Sequence, residues 1–184
     1  MTLDISKVAQ RLGHRIDQAL RSVELSVVIM GPALPDPHDQ EQRKKPDSVL
    51  RQHLLTRCSE LGASVAPEHP VMLEQAKRLG SNSDLCTFEA HLARECDLVV
   101  IIPSSPGSLC ELGYFGMIAQ ICTKMVVLCN RDHPRSGTYI SEGPLRAASD
   151  RRAVLEYTDY SDLDACWNIV ERHILALRAQ RTLS

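Results

Sequence analysis

The sequence predicts an α/β protein with a five-stranded parallel sheet that is covered by helices on both faces. Short runs of β-branched and aliphatic residues alternate along the chain with longer segments of helical periodicity. The run Leu-Val-Val-Ile-Ile at 98–102 has no polar alternation, which is typical of a strand buried on both faces and hence of a parallel sheet. With right-handed crossovers, this alternation gives a three-layer Rossmann-like or flavodoxin-like fold.

Five segments are predicted as strands because they are short, apolar and bounded by turn residues. The first of them ends at Gly31-Pro32, where a buried strand would run into a loop. The polar, proline-rich stretch 35–46 follows, and its composition predicts a loop that could serve as a lid. The predicted strands cover 25–30, 63–66, 97–103, 124–129 and 153–157.

Helices are predicted between the strands and at both ends of the chain. Apolar residues recur at helical spacing over 5–22, so we expect an N-terminal helix within 1–24, followed by one α/β domain over 25–184. Asp47 or Ser48 is expected to cap the helix that ends at Gly62. The other predicted helices cover 70–79, 83–96, 108–122 and 162–179.

Composition excludes several function classes. The chain has 184 residues and a net charge of −2, so neither a nucleic acid nor a membrane is expected as a partner. Its seven cysteines are odd in number and lack Cys-x-x-Cys spacing, and its seven histidines form no cluster. We therefore expect free thiols, no metal and no cofactor. No signal peptide is recognisable at the N-terminus, so a cytoplasmic location is predicted.

The segment after the third strand is the main candidate for a ligand site, because ligands of open parallel sheets bind beyond the carboxyl ends of the strands. It reads Ser-Ser-Pro-Gly-Ser-Leu-Cys-Glu-Leu-Gly over 104–113. Small residues let a ligand approach the backbone closely, and Ser108 can cap a helix in which Glu111 is the third residue. The alternative is that Ser108 and Glu111 merely form a Ser-x-x-Glu capping box. The segment lacks the glycine patterns of dinucleotide sites and P-loops.

Three features of the sequence form one pattern. Ser105 precedes Glu111-Leu112-Gly113 by six residues, and Glu89 stands eight residues before Asp97, which opens the third strand. Ser141 and Gly143 follow the fourth strand. Over about residues 25–175 the chain thus resembles the nucleoside 2-deoxyribosyltransferase superfamily, most closely its 2′-deoxynucleoside 5′-monophosphate N-glycosidase branch. It departs from that pattern where Gly31-Pro32 replaces a Gly-Ser turn and where Glu89 replaces the usual Asp.

The resemblance implies cleavage, or transfer, at the N-glycosidic bond of a nucleoside or nucleoside 5′-monophosphate. Glu111 would be the nucleophile, and Glu89 would orient it or pass protons at the base. The implied partners are a small-molecule nucleoside or nucleotide and a second copy of the chain, in a homodimer or a larger homo-oligomer. The implied substrate-binding residues are Gly31, Pro32, Ser105, Pro106, Gly107, Ser108, Ser141 and Gly143.

Two alternatives stay open at the level of sequence. The chain could be a non-catalytic sensor of the same Rossmann-like group that binds a nucleotide or an NAD-derived ligand. It could also be a phosphoribohydrolase of the lonely-guy type, although only five positions separate Pro106 from Glu111, and the spacing of that family is not met. A second carboxylate close to Glu111 would favour an enzyme over a sensor.

Overall fold

Five parallel strands form the central sheet of the protein, in the order β2-β1-β3-β4-β5. The structure is a computed structural model that describes residues 13, 15, 16, 18–35, 38, 39, 45–66, 74 and 85–183. This sheet confirms the predicted fold class, and each strand lies within a few residues of its predicted position. The strands are β1 (Ser26–Met30), β2 (Ser64–Val65), β3 (Leu98–Ile101), β4 (Met125–Asn130) and β5 (Val154–Thr158).

Helices cover both faces of the sheet. One face packs against α1 (Pro46–Glu60) and the C-terminal helix, and the other packs against the helices that follow β2, β3 and β4. Residues 15, 16 and 18–21 are also helical, within the predicted N-terminal helix. The remaining helices are α2 (Leu85–Glu95), α3 (Pro106–Phe115), α4 (Ala119–Cys122), α5 (Arg146–Asp150) and α6 (Leu163–Leu183).

The central strands are buried on both sides, as their unbroken apolar composition predicts. Val99, Val100 and Ile101 of β3 are each 0% exposed, and Val99 points into a different core cluster from Val100. At the amino end of the sheet the Asp97 carboxylate accepts hydrogen bonds from the Ser26 amide (2.8 Å) and hydroxyl (3.0 Å). These bonds join the start of β3 to the start of β1 and fix the register of the two strands. At the opposite, carboxyl end of the sheet, a crevice opens between the same two strands.

The helix predicted over 108–122 is wrong in both its start and its length. It begins at Pro106, breaks after Phe115 and resumes as the short α4. At the break, a Cβ on Gly116 would lie 2.8 Å from the Leu112 carbonyl oxygen and 3.4 Å from that of Pro144. Pro144 belongs to a π-helical turn over Ser141–Leu145 that leads into α5 and that the sequence analysis did not predict. The backbone at the end of α3 therefore requires glycine at 116, and the π-helical turn packs close to it.

Several predictions fall partly outside the described residues. These are the helix over 70–79 and most of the loop over 35–46. All seven cysteines are described and free, and five of them are buried. No helix in the described part of the chain has both the length and the apolar character that a membrane span requires.

Candidate active site

The candidate site lies where the direction of the sheet reverses. β1 and β3 are neighbours, but the chain leaves β1 through α1 towards β2 and leaves β3 through α3 towards β4. Because α1 and α3 lie on opposite faces, a crevice opens between them at the carboxyl ends of the two strands. The turn at 102–105 and the start of α3 border this crevice.

The first turn of α3 is closed by a pair of serines. Ser105, not Ser108, is the N-cap, with Pro106 as the first helical residue. The Ser108 amide donates to Ser105 Oγ at 3.2 Å, and the Ser105 amide donates to Ser108 Oγ at 3.0 Å. The predicted box between Ser108 and Glu111 is therefore wrong, since Ser108 occupies the third helical position and Glu111 the sixth. The carboxylate of Glu111 is not needed for capping.

The same geometry limits what the turn can offer a ligand. Ser108 is 0% exposed, and its hydroxyl is bonded to Ser105, which is half-buried. Pro106 and Gly107 are exposed beside them. Ser108 thus shapes the turn in this structure, whereas Ser105, Pro106 and Gly107 form its accessible surface.

Glu111 is half-buried and incompletely hydrogen-bonded. Its Oε2 atom is buried without a hydrogen-bond partner in the described structure. The pKa of the Glu111 carboxyl is raised to about 7, mainly by burial and also by the negative charge of Glu89, while the positive charge of Arg51 opposes the increase. An unsatisfied buried carboxylate that changes protonation near neutral pH is a common feature of catalytic sites.

Glu89 reaches this site from α2. It is 6% exposed and stands next to Ala90, which packs into the core. A carboxylate is seldom buried to this extent unless it has partners, and Glu89 does engage in such interactions. The negative charge of Glu89 raises the pKa of Glu111, so acidic side chains from two different helices influence each other at this site.

Arg51 of α1 is the third charged group, and the sequence analysis did not identify it. Its guanidinium donates to the Pro32 carbonyl oxygen from Nη1 at 2.9 Å and to the Ile29 carbonyl oxygen from Nη2 at 3.2 Å. It thereby holds the end of β1 while placing a positive charge near Glu111. The sequence feature that could have identified Arg51 is a cation in the second turn of the helix after β1, because that turn lies close to the carboxyl ends of the strands.

Gly31 and Pro32 are placed at the site, where they contact this arginine. A Cβ on Gly31 would lie 3.2 Å from Arg51 Cδ and 3.3 Å from Ile102 Cβ. Pro32 is buried and accepts the Arg51 hydrogen bond through its carbonyl oxygen. The close approach of Arg51 to the backbone thus explains the small residue at 31.

Ser141 and Gly143 lie in the π-helical turn that packs against α3. Ser141 is 7% exposed, and its hydroxyl accepts a hydrogen bond from the Thr138 amide (3.0 Å) and lies 2.9 Å from the Thr138 hydroxyl. Gly143 lines an apolar groove against Cys110 and Gly113 of α3. Within the described structure, neither residue makes a hydrogen bond or a charge interaction with Glu111.

Comparison with protein families identifies the chain. The family model described as STM3845 retron effector protein matches residues 47–183, which is most of the chain. The chain belongs to the STM3845 retron effector family. The matched region contains Arg51, Glu89 and Glu111, and it excludes Gly31 and Pro32 of the β1 turn.

No curated protein matches this chain. Among solved structures, the CMP N-glycosidase BcmB of Clostridium botulinum matches with 18% sequence identity, covering 80% of this chain and 98% of that chain, with a TM-score of 0.44. At this level the similarity carries no argument about activity.

In the part of the chain that the structure describes, no three His, Cys, Asp or Glu side chains are grouped as metal ligands.

Proposed function

We propose that this retron effector cleaves the N-glycosidic bond of a nucleoside or nucleoside 5′-monophosphate, with Glu111 as the nucleophile. The observation that carries the proposal is the state of Glu111: Oε2 is buried and unpaired, its pKa is about 7, and the charges of Glu89 and Arg51 act on it. The resemblance of 105–113 to the nucleoside 2-deoxyribosyltransferase pattern supports the same role. In this proposal, cleavage of the glycosidic bond is the activity through which the protein acts as an effector.

The first step forms a covalent glycosyl-enzyme. A Glu111 oxygen bonds to the anomeric carbon as the bond from that carbon to the base nitrogen breaks, and the electron pair of the broken bond leaves with the base. Positive charge develops on the sugar in the transition state, where a carboxylate in a dry site stabilises it strongly. The departing base takes up one proton, and Glu89 is the proposed donor of that proton.

The second step releases the sugar. Water adds to the anomeric carbon, the bond to Glu111 breaks, and its electron pair returns to the carboxylate. The proton lost by the water passes to Glu89, which is thereby ready for the next substrate. If a second base replaces the water, the same intermediate gives transfer instead of hydrolysis.

The arrangement favours an enzyme over a sensor. A sensor has no need for a second buried carboxylate whose charge opposes ionisation of the first, since that arrangement destabilises the folded chain. Paired carboxylates at one site are instead what glycosidic cleavage uses.

The test is chromatography of nucleosides, 2′-deoxynucleosides, their 5′-monophosphates and NAD after incubation with the protein. We expect release of a free base by the wild type and its loss in Glu111→Gln. Glu95→Gln, at an exposed glutamate of α2, is the matched control and should keep full activity. Unchanged cleavage by Glu111→Gln, or tight binding of a nucleotide with no product, would refute the proposal.

A further inference from the structure

In addition to the crevice between β1 and β3, a cavity of about 320 Å³ opens at the carboxyl ends of β3 and β4. Its volume lies at the lower end of the range for ligand pockets, about 300 to 1,000 Å³. The mechanism proposed above assigns no role to the residues that line it. They come from the N-terminus of α1, the turn after β3, the end of β4 and two loops: Asp47, Ser104, Asn130, His133 and Tyr160, with Pro46, Pro103 and Cys129.

Several polar groups of this lining have unused hydrogen-bonding capacity. His133 Nε2 is buried and has no partner in the described structure. Asp47 accepts one hydrogen bond, at Oδ1 from the Ser48 amide (2.9 Å), and Oδ2 remains available. Asn130 accepts from the Asp132 amide at Oδ1 (3.1 Å), which leaves its amide NH₂ as a donor. The cavity therefore offers both donors and acceptors.

The charge of the lining restricts the ligand class. Among the described residues that line the cavity there is no lysine or arginine, and Asp47 carries a negative charge. A phosphate group would be repelled there, whereas a neutral ligand with N–H donors would be bound. The rings of Pro46, Pro103 and Tyr160 add apolar surface, which suits the faces of a planar ring. A nucleobase has this chemistry.

The cavity lies next to the candidate active site. Ser104, in its lining, directly precedes Ser105, the N-cap of the helix that carries Glu111. Asp47 and Arg51 are four residues apart on α1 and so lie on the same face, with Asp47 lining the cavity and Arg51 acting on Glu111. One helix thus contributes to both places.

We propose that this cavity binds the base of the substrate and that Asp47 selects bases that carry an exocyclic amino group. The inference rests on the proposed function, in which the base is the leaving group. An amino group donates a hydrogen bond to the Asp47 carboxylate. A base with a carbonyl oxygen at the same position places a partial negative charge next to the Asp47 carboxylate, and the two repel each other.

Free bases test the inference without any need for turnover. Cytosine and uracil are used because they share one ring and differ mainly in an amino group against a carbonyl, and their affinities are measured by calorimetric titration. We expect the wild type to bind cytosine about tenfold more tightly than uracil, since a hydrogen bond to a charged group contributes at least this much. Asp47→Asn should remove the preference. Glu60→Gln, which removes a carboxylate from the exposed far end of α1, should retain it.

Equal affinities in the wild type, no binding of either base, or an unchanged preference in Asp47→Asn would each overturn the inference. Should Asp47→Asn fail to fold, His133→Ala in the loop after β4 replaces it. That variant should bind cytosine several-fold more weakly, and unchanged affinity would count against the cavity.

The inference and the proposed function fail in different ways. A protein that releases bases in a Glu111-dependent manner, but with equal kcat/KM for cytidine and uridine, would refute the base cavity alone. A protein that cleaves no nucleoside, yet binds cytosine with a preference that depends on Asp47, would refute the glycosidase and leave the base site standing.

Discussion

Ser105 Oγ and Ser108 Oγ lie 2.9 Å apart and together close the N-terminus of α3. Each hydroxyl also accepts a hydrogen bond from the backbone amide of the other residue. The four groups satisfy one another, so the cap makes no use of Glu111, one turn further along. Capping of α3 and the unpaired state of Glu111 Oε2 are therefore separate features of this helix.

Replacing Ser108 by alanine should destabilise the protein through this cap. The Ser105 amide loses its acceptor, and we expect the free energy of unfolding to fall by about 1 to 2 kcal/mol. Urea unfolding of the single variants and of the double variant S105A/S108A measures the effect. Because the two hydroxyls share the same bonds, the double variant should lose less than the sum of the singles. Strict additivity would show that the serines act independently.

Cleavage should increase with pH through the titration of Glu111. The nucleophile must be ionised, and its pKa is about 7, so the rate should be low at pH 5.5 and should rise steeply through pH 7. The measurement is kcat/KM for base release between pH 5 and 9. A profile that is flat across neutral pH would mean that Glu111 ionises far lower than the structure indicates.

The same raised pKa makes a prediction about stability. The folded state holds the Glu111 proton up to pH 7, whereas the unfolded chain releases it near the ordinary value of 4.5. The folded state therefore binds more protons between these values, and the contribution of Glu111 to stability falls as the pH rises. The stability of Glu111→Gln relative to the wild type should increase by about 3 kcal/mol between pH 4.5 and pH 8. Denaturant unfolding at the two pH values checks this, with Glu95→Gln, at an exposed site, expected to show a much smaller dependence.

Arg51→Met should move the pH profile of cleavage. Without the guanidinium, ionisation of Glu111 loses its favourable charge partner, and the midpoint should rise by about one pH unit. Arg51→Lys keeps the charge and should keep the midpoint, although it loses part of the hydrogen bonding to Ile29 and Pro32.

Arg57→Met is the matched control for this experiment. Arg57 lies on the same helix, is exposed and pairs with Glu60, so its loss should leave the midpoint unchanged. If Arg51→Met loses activity at every pH with no change of midpoint, the arginine acts only by holding the β1 turn.

Hydrophobic periodicity predicted which segments form strands and helices better than it predicted where these elements begin and end. The run at 98–102 identified β3 because a strand covered on both faces needs apolar residues at every position. The π-helical turn at 141–145 was missed because its residues carry no helical periodicity and because Pro144 argues against a helix. The break after Phe115 was also missed, because the residues on either side of it continue the apolar pattern of a helix.

The sequence by itself determined the succession of strands and helices along the chain and the position of Glu111 just after β3, because both follow from local patterns in the sequence. Only the tertiary structure decided which serine caps α3 and which charges surround Glu111. Glu89 and Arg51 reach it from helices 22 and 60 residues away along the chain, and no local pattern encodes such an approach. The ionisation of a buried carboxylate depends on lost solvation and on the charges around it, and both are properties of the folded packing.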